Sequence, residues 1–340
     1  RDPSELTLLS HFDKTTTSVG KRLFRDRLTN PITNKGELLS RYDLSDALAP
    51  IADTLSTELR KTYDIERIAR RISLTRLHPF EINYLYDTLQ ATASILDTIT
   101  AAEKTSVLPH FLSEAAALTE MIEHIEQTFD LDQTTCSTQH TICKSLFQTS
   151  YNREIDELVG REAAIQEKLE AIRAVFIEQL NDITGKEETQ FVTIKQLDKE
   201  GHYLALTKSR YALIEDTIKK AFVSIDGTVY ALSDFSYKVQ TGNVKITAEI
   251  IDAISEEIVV VQSKITALSK QLFTQSLLHL ETTYGAKLDL FASAIAQIDV
   301  AIANSKNAIL RNLVRPEIID VGEEESFLSA KDLRHPLVES

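Results

Sequence analysis

The sequence predicts a mainly α fold: a helical core with two long antiparallel coiled-coil helices that carry a small antiparallel β module at their tip. Three observations lead there. Pro and Gly are scarce, 7 and 9 in 340 residues, and helix formers dominate. Two stretches repeat apolar residues at spacings of mostly 3 and 4. They are Ile155, Leu158, Ile165, Leu169, Ile172, Phe176 and Leu180, and Ile246, Ile250, Ile254, Ile258, Val261, Ile265, Leu268 and Leu272. Between them the period changes: Phe191–Lys195 and His202–Leu206 read as short strands joined by a turn at Asp198–Gly201. Arms of ~25–35 residues, at ~1.5 Å per residue, would hold such a module roughly 40–50 Å from their base.

The other elements follow in order. Residues 6–28 read as one helix, because Leu6, Leu9, Phe12, Val19, Leu23, Phe24 and Leu28 recur at helical spacing; Asn30-Pro31 ends it. A turn at 33–36 leads to a helix over about 36–49, broken by Pro50. Residues 51–75 form another, about 79–103 a further one after His78-Pro79, and 108–130 one more. Residues 131–150 are rich in Thr, Gln and Ser and read as a surface loop or partly ordered insert. The first arm covers about 152–181, with a turn to Gly185. Inside the module, 211–223 reads as a short helix and 228–238 as a strand. The second arm runs from about 246 to 283, Tyr284-Gly285 interrupts it, and a last helix spans about 286–309. After Val314 the tail reads as the first strands of a further domain. The predicted organisation is a helical core (1–150), outgoing arm (151–185), β-rich module (186–245), returning arm (246–283), core helix and return (284–320) and the start of a truncated domain (321–340).

Composition narrows the function. The first residue is Arg1 and the single methionine is Met121, which reads as a piece of a longer protein. No run approaches the ~18 apolar residues that span a bilayer, and the start is no signal peptide, so no membrane partner is expected. Cys136 and Cys143 suit a reducing compartment, cytoplasmic or nuclear. With His140 they supply three ligand types, but their spacing fits no common zinc motif and no metal site is expected. Gly20-Lys21 and Gly185-Lys186 lack a glycine five positions earlier, so the chain has no Walker A loop. It has no G-x-S-x-G or H-E-x-x-H motif, its eight histidines are scattered, and Glu256-Glu257 and Glu323–Glu325 read as solvated faces. No catalytic residue is predicted. The net charge of −14 argues against a surface coated by nucleic acid. Residues 186–245, however, hold nine basic and eight acidic side chains. The acidity avoids the module, which permits phosphate contact there.

Four stretches resemble the MutS family of DNA mismatch-repair proteins. Gly20-Lys21-Arg22-Leu23-Phe24-Arg25-Asp26-Arg27-Leu28-Thr29-Asn30-Pro31-Ile32, with Arg41-Tyr42-Asp43 after it, is similar to the family's G-x-R-L-L-R-x-W-L-x-x-P-L helix and R-x-D continuation. Asp64-Ile65-Glu66-Arg67 and Leu77-His78-Pro79 are similar to the D-L-E-R helix and the following turn. Tyr151–Asp156 resembles the G-Y-x-x-E-L-D start of the outgoing arm. Leu313-Val314-Arg315-Pro316 and Arg334-His335-Pro336-Leu337-Val338-Glu339 resemble the approach to the ATPase domain. Arg27 stands where many members carry Trp, and Ser150 replaces the Gly before Tyr151.

The resemblance implies that the arms are levers and that residues 186–245 are a clamp gripping double-stranded DNA, mismatched in the parent protein, by its backbone. It implies a homo- or heterodimer with another MutS-like subunit, and a parent protein with an ATPase domain using ATP and Mg. This chain itself is expected to hold no cofactor. Candidate phosphate contacts are Lys208, Ser209 and Arg210 after the second strand, and Lys238, Asn243 and Lys245 before the returning arm. By family position Asn243 and Lys245 match a polar, basic turn. Lys219 and Lys220 are weaker candidates. Arg22, Arg25 and Arg27 are expected to pair with acids such as Asp26 or Asp43 rather than with DNA. Two other readings compete: a coiled-coil scaffold whose tip binds a protein, favoured by the net charge of −14, and a MutS relative acting in recombination.

Overall fold

A computed structural model describes residues 7–104, 106–135, 137–185, 189–197, 201–319, 328–335 and 337. The fold is mainly α with a small antiparallel β module. Its contacts divide into two compact units, residues 1–140 with 272–340, and residues 141–271.

The first unit is helical. It contains α1 (Leu8–Phe12), α2 (Ser18–Thr29), α3 (Lys35–Leu48), α4 (Ala52–Leu59), α5 (Ile65–Ser73), α6 (Phe80–Ala101), α7 (Pro109–Leu112), α8 (Ala115–Thr128) and α9 (Leu131–Thr135). Leu85, Leu89, Ile95 and Ile99 of α6 are fully buried, as are Leu55 of α4, Ile65 and Ile72 of α5, and Met121 and Ile125 of α8. Burying a side chain of this size contributes roughly 1.5–3 kcal/mol, which explains why the apolar stripes pair.

Three helices expected to be continuous are divided, two of them at a side-chain cap. Residues 6–28 split into α1 and α2 because the Thr16 and Thr17 amides leave the helix and donate to the Asp299 carboxylate at 2.9 and 2.7 Å. The Thr17 hydroxyl then accepts from the Gly20 amide and caps α2. Residues 51–75 split at Asp64, whose side chain accepts from Arg67 N and starts α5. Residues 108–130 split between Leu112 and Ala115 into α7 and α8. The insert is more ordered than its composition suggested: α9 opens it, and Ile142, Leu146 and Phe147 are buried.

The second unit holds α10 (Arg153–Thr184), β1 (Thr193–Leu197), β2 (Gly201–Thr207), α11 (Lys208–Ile218), β3 (Phe222–Ile225), β4 (Thr228–Ala231), β5 (Ser236–Val239) and β6 (Asn243–Thr247). Asn152 caps α10 by accepting from the Glu154 and Ile155 amides, and Gly185 ends it at φ 65°. Asn152→Ala is expected to destabilise this unit by about 1 kcal/mol, read from urea denaturation. One antiparallel sheet has the order β1-β2-β6-β5, and β3 pairs with β4 in a separate hairpin. The expected strand over 228–238 is therefore two strands in two sheets, separated by a 3-10 turn at Leu232–Asp234 around the fully buried Leu232. The expected helix over 211–223 begins earlier and stops at Ile218, so that Phe222 can start β3.

The last helix, α12 (Glu249–Arg311), runs through Tyr284-Gly285 without the expected interruption. A helical glycine costs only about 1 kcal/mol relative to alanine. Tyr284 is 5% exposed and its hydroxyl donates to Glu120 at 3.2 Å. Packing on both sides of Gly285 outweighs the local preference. In the second unit, Ile251, Ile254, Ile258, Val261 and Ile265 of α12 join Ile165, Leu169, Ile172, Phe176 and Leu180 of α10 in one buried cluster with Leu204, Leu206, Val244 and Ile246 of the sheet. Arg161 and Glu257 pair across these helices at 2.7 Å.

No helix among the described residues is long and apolar enough to cross a membrane. Residues 313–319 and 328–335 form neither helix nor strand. The rest of the tail, where further strands were expected, lies outside the described residues.

Candidate nucleic-acid interface

Alternation along a strand sends successive side chains to opposite sheet faces. Leu204 and Leu206 of β2 and Val244 and Ile246 of β6 point into the buried cluster. The register pairs Ala205 with Lys245, Thr207 with Asn243, Lys238 with Lys245, Thr193 with Ala205 and Lys195 with Tyr203. The face away from the cluster thus gathers Thr193 and Lys195, Tyr203 and Thr207, Ser236 and Lys238, and Asn243, Lys245 and Thr247. The Lys245 ammonium lies 4.5 Å from the centroid of the Tyr203 ring, which confirms that the two share this face. Strands β1, β2, β5 and β6 contain three lysines and no Asp or Glu.

The candidates fall into distinct settings. Lys208 and Ser209 are exposed in the first turn of α11, next to Asn243, because Thr207 and Asn243 are cross-strand partners. Thr207 caps α11 by accepting from Arg210 N, and its hydroxyl lies 3.1 Å from that of Ser209. Arg210 is half-buried, its guanidinium stacked 4.5 Å from the centroid of Phe191. Lys238 is exposed on β5. Asn243 and Lys245 belong to β6 rather than to a turn, because Val244 and Ile246 are core residues that hold this segment in the sheet. Lys245 is only 8% exposed. Lys219 pairs with Glu215 at 3.1 Å, and Lys220 is exposed beyond the other end of α11, a helix of 11 residues that spans about 16 Å. The sheet face adds exposed Lys195 and half-buried Tyr203, which sequence reasoning left out. The alternation of Asn243, Lys245 and Thr247 with Val244 and Ile246 was the signal that could have shown β6 and its polar face.

Elsewhere, Arg22 pairs with Asp64 and Glu66, both at 2.7 Å, not with Asp26 or Asp43. Asp43 pairs instead with Arg315 at 2.8 Å. These partners are distant in sequence, so spacing along one helix could not show them. Arg27 is half-buried; burial, helped by Arg41, pulls its guanidinium down to about 10. His140 and Cys143 are exposed, and no group of three or more His, Cys, Asp or Glu among the described residues is placed to hold a metal. Cys136 lies outside the described residues.

His202 packs at the start of β2, its amide donating to Ser255 Oγ at 2.9 Å, and burial lowers its pKa below the usual imidazole value. The unfolded chain then takes up the proton first. The module is expected to keep full stability above the unfolded value of about 6.5 and to lose it as pH falls through that value toward the folded one. Urea midpoints between neutral and mildly acidic pH, with and without His202→Gln, measure this; an unchanged pH slope in the variant would exclude His202 as the source.

These features define a helical protein that carries a small sheet whose strands hold three lysines and no Asp or Glu. The chain belongs to the MutS family: the family model for MutS domain III matches residues 1–305. It is similar to a mutS homolog of Acanthamoeba polyphaga mimivirus, 25% identical over 96% of this chain. It is also similar to the DNA mismatch repair protein MutS of Clostridioides difficile, 25% identical over 98% of the chain. The mitochondrial DNA mismatch repair protein mutS homolog of Sarcophyton glaucum is 24% identical over 98%. The matches cover 30%, 32% and 32% of these relatives, so the chain spans about a third of their length.

Proposed function

We propose that this chain is the core and clamp segment of a mismatch-repair protein, and that its four-stranded sheet grips duplex DNA through backbone phosphates without reading sequence. The observation that carries this is that the four strands place Lys195, Lys238 and Lys245 on one face and themselves contain no Asp or Glu, in a chain of net charge −14. Lys195, Lys238 and Lys208 are exposed and would neutralise phosphates. Lys245, held over Tyr203, would add positive potential rather than direct contact. Hydroxyls of Thr247 and Ser236 would donate to phosphate oxygens, which positions DNA but carries no sequence information. Helices α10 and α12 would act as levers, coupling the clamp to an ATPase domain of the parent protein that uses ATP and Mg. That protein would work as a homo- or heterodimer.

The test is fluorescence anisotropy of this chain with perfect and mismatched short duplexes across a salt series. Equal binding to both duplexes, weakening as salt rises, is expected. Each of Lys195→Ala, Lys238→Ala and Lys208→Ala should reduce the salt slope by about 1. Absence of binding at low salt would favour a scaffold that docks a protein. The exposed Phe222 (62%) and Val229 (64%) on the β3–β4 hairpin favour that second reading.

A further inference from the structure

A stretch rich in positive charge also lies in the first unit, away from the strands of the sheet. Residues 60–76 carry six basic side chains and two acids, Asp64 and Glu66. Both acids are taken by Arg22. Lys61 pairs with Glu58 and Arg71 with Glu81. Arg60, Arg67, Arg70 and Arg76 are exposed, and no carboxylate pairs with them among the described residues.

A file of aromatic rings runs beside them. Tyr63 stacks on Tyr84 with centroids 4.1 Å apart and planes 13° from parallel. Tyr84 meets Phe80 edge-on at 5.5 Å, and Phe80 stacks on His78 at 5.5 Å. Tyr63 and Tyr84 are 42% and 37% exposed. Helix geometry joins the two features. Arg67 precedes Arg71 by four residues and shares its stripe of α5. Arg71 Nη1 reaches Glu81 at 2.7 Å, and Glu81 sits between Phe80 and Tyr84 on α6. Arg71 thus ties the arginine-bearing face of α5 to α6, the helix that carries Phe80 and Tyr84. Asp87, exposed one turn beyond Tyr84, is the opposing charge.

We propose that this surface binds single-stranded nucleic acid. Exposed aromatic rings stack bases of any identity, and nearby guanidinium groups hold the backbone. The site is separate from the sheet face and adds a second nucleic-acid contact to the chain. An acidic polypeptide would use the arginines but gain little from exposed stacked rings, which is why charge and rings together favour nucleic acid.

The probe is a fluorescent oligo(dT) of about 16 nucleotides, read by anisotropy with the 340-residue chain over a salt series. Salt-sensitive binding is expected, weakened roughly tenfold by Tyr63→Ala and retained by Tyr63→Phe. Arg67→Gln and Arg70→Gln should weaken it and flatten the salt slope. Tyr63→Ala should weaken oligo(dT) binding by the same factor in the Lys195→Ala/Lys238→Ala background as in the unchanged chain, which separates this site from any phosphate contact on the sheet. Melting curves identify any variant that fails to fold, and the surface changes at Arg67 and Arg70 keep the test open in that event. The proposal is overturned by no oligo(dT) binding at low salt, or by binding indifferent to Tyr63→Ala and the arginine variants. It is equally overturned if polyglutamate binds as tightly and only the arginine variants weaken it, since the partner is then an acidic protein.

Discussion

Gly20→Ala is expected to destabilise the first unit by on the order of 4 kcal/mol. A Cβ at this position would clash with Asp299 Oδ2, Cγ and Cβ. That carboxylate is 1% exposed and cannot swing into solvent. It accepts from Thr16 N, Thr17 N and Thr17 Oγ1, and the same Thr17 hydroxyl caps α2 through Gly20 N. Displacing it would strand two backbone N–H groups and the cap together. Burial pushes the Asp299 carboxyl up while these bonds pull it down, so the group depends on them to stay charged. The measurement is urea denaturation of Gly20→Ala, Asp299→Ala and the double variant. Removing the carboxylate also removes the clash, so the double variant should be less destabilised than the two single changes summed. Simple additivity would mean that the two residues do not share this contact.

Phe176→Ala is expected to cost about 3–5 kcal/mol in the second unit. The ring is fully buried in the cluster formed by α10, α12 and the sheet. Phe235 and Tyr237 lie at 6.5 Å centroid distance and cannot close the void without leaving their own positions. Tyr237 is tied by its hydroxyl to Leu232 O at 2.8 Å, and burial raises its pKa. Amide exchange resolved by segment provides the readout. Protection should fall in β2, β6 and α11, whereas a loss confined to α10 would show that the cluster repacks around the gap. Phe176→Leu, which refills most of the volume, should recover the larger part of the stability.

The long helices α10 and α12 were legible because core apolar residues recur along them at intervals of three and four, and that spacing fits a helix packed on one side. Helix ends were less legible. Thr17 and Asp64 are ordinary cap residues, yet their role depends on Asp299 and Arg22, which lie far away in sequence or on another helix. At Tyr284-Gly285 the local preference pointed to a break, and burial of Tyr284 overrode it. The candidate interface divides the same way. Lys208, Ser209 and Lys238 were found as polar residues near strand ends, and they are exposed. Lys195 and Tyr203 were missed, and Lys245 was taken for a turn residue. Which face a strand residue occupies depends on register, and register follows from the core on the opposite side.

The sequence by itself determined the mainly α class, the small β module between two apolar-striped helices and the family motifs, since each rests on local spacing or residue identity. Only the tertiary structure decided that Lys195, Lys238 and Lys245 share one sheet face, that Arg22 belongs to Asp64 and Glu66, and that Tyr63 stacks on Tyr84 while Arg71 reaches Glu81. These are juxtapositions of residues from separate elements, and burial and strand register bring them together over distances along the chain that no local pattern spans.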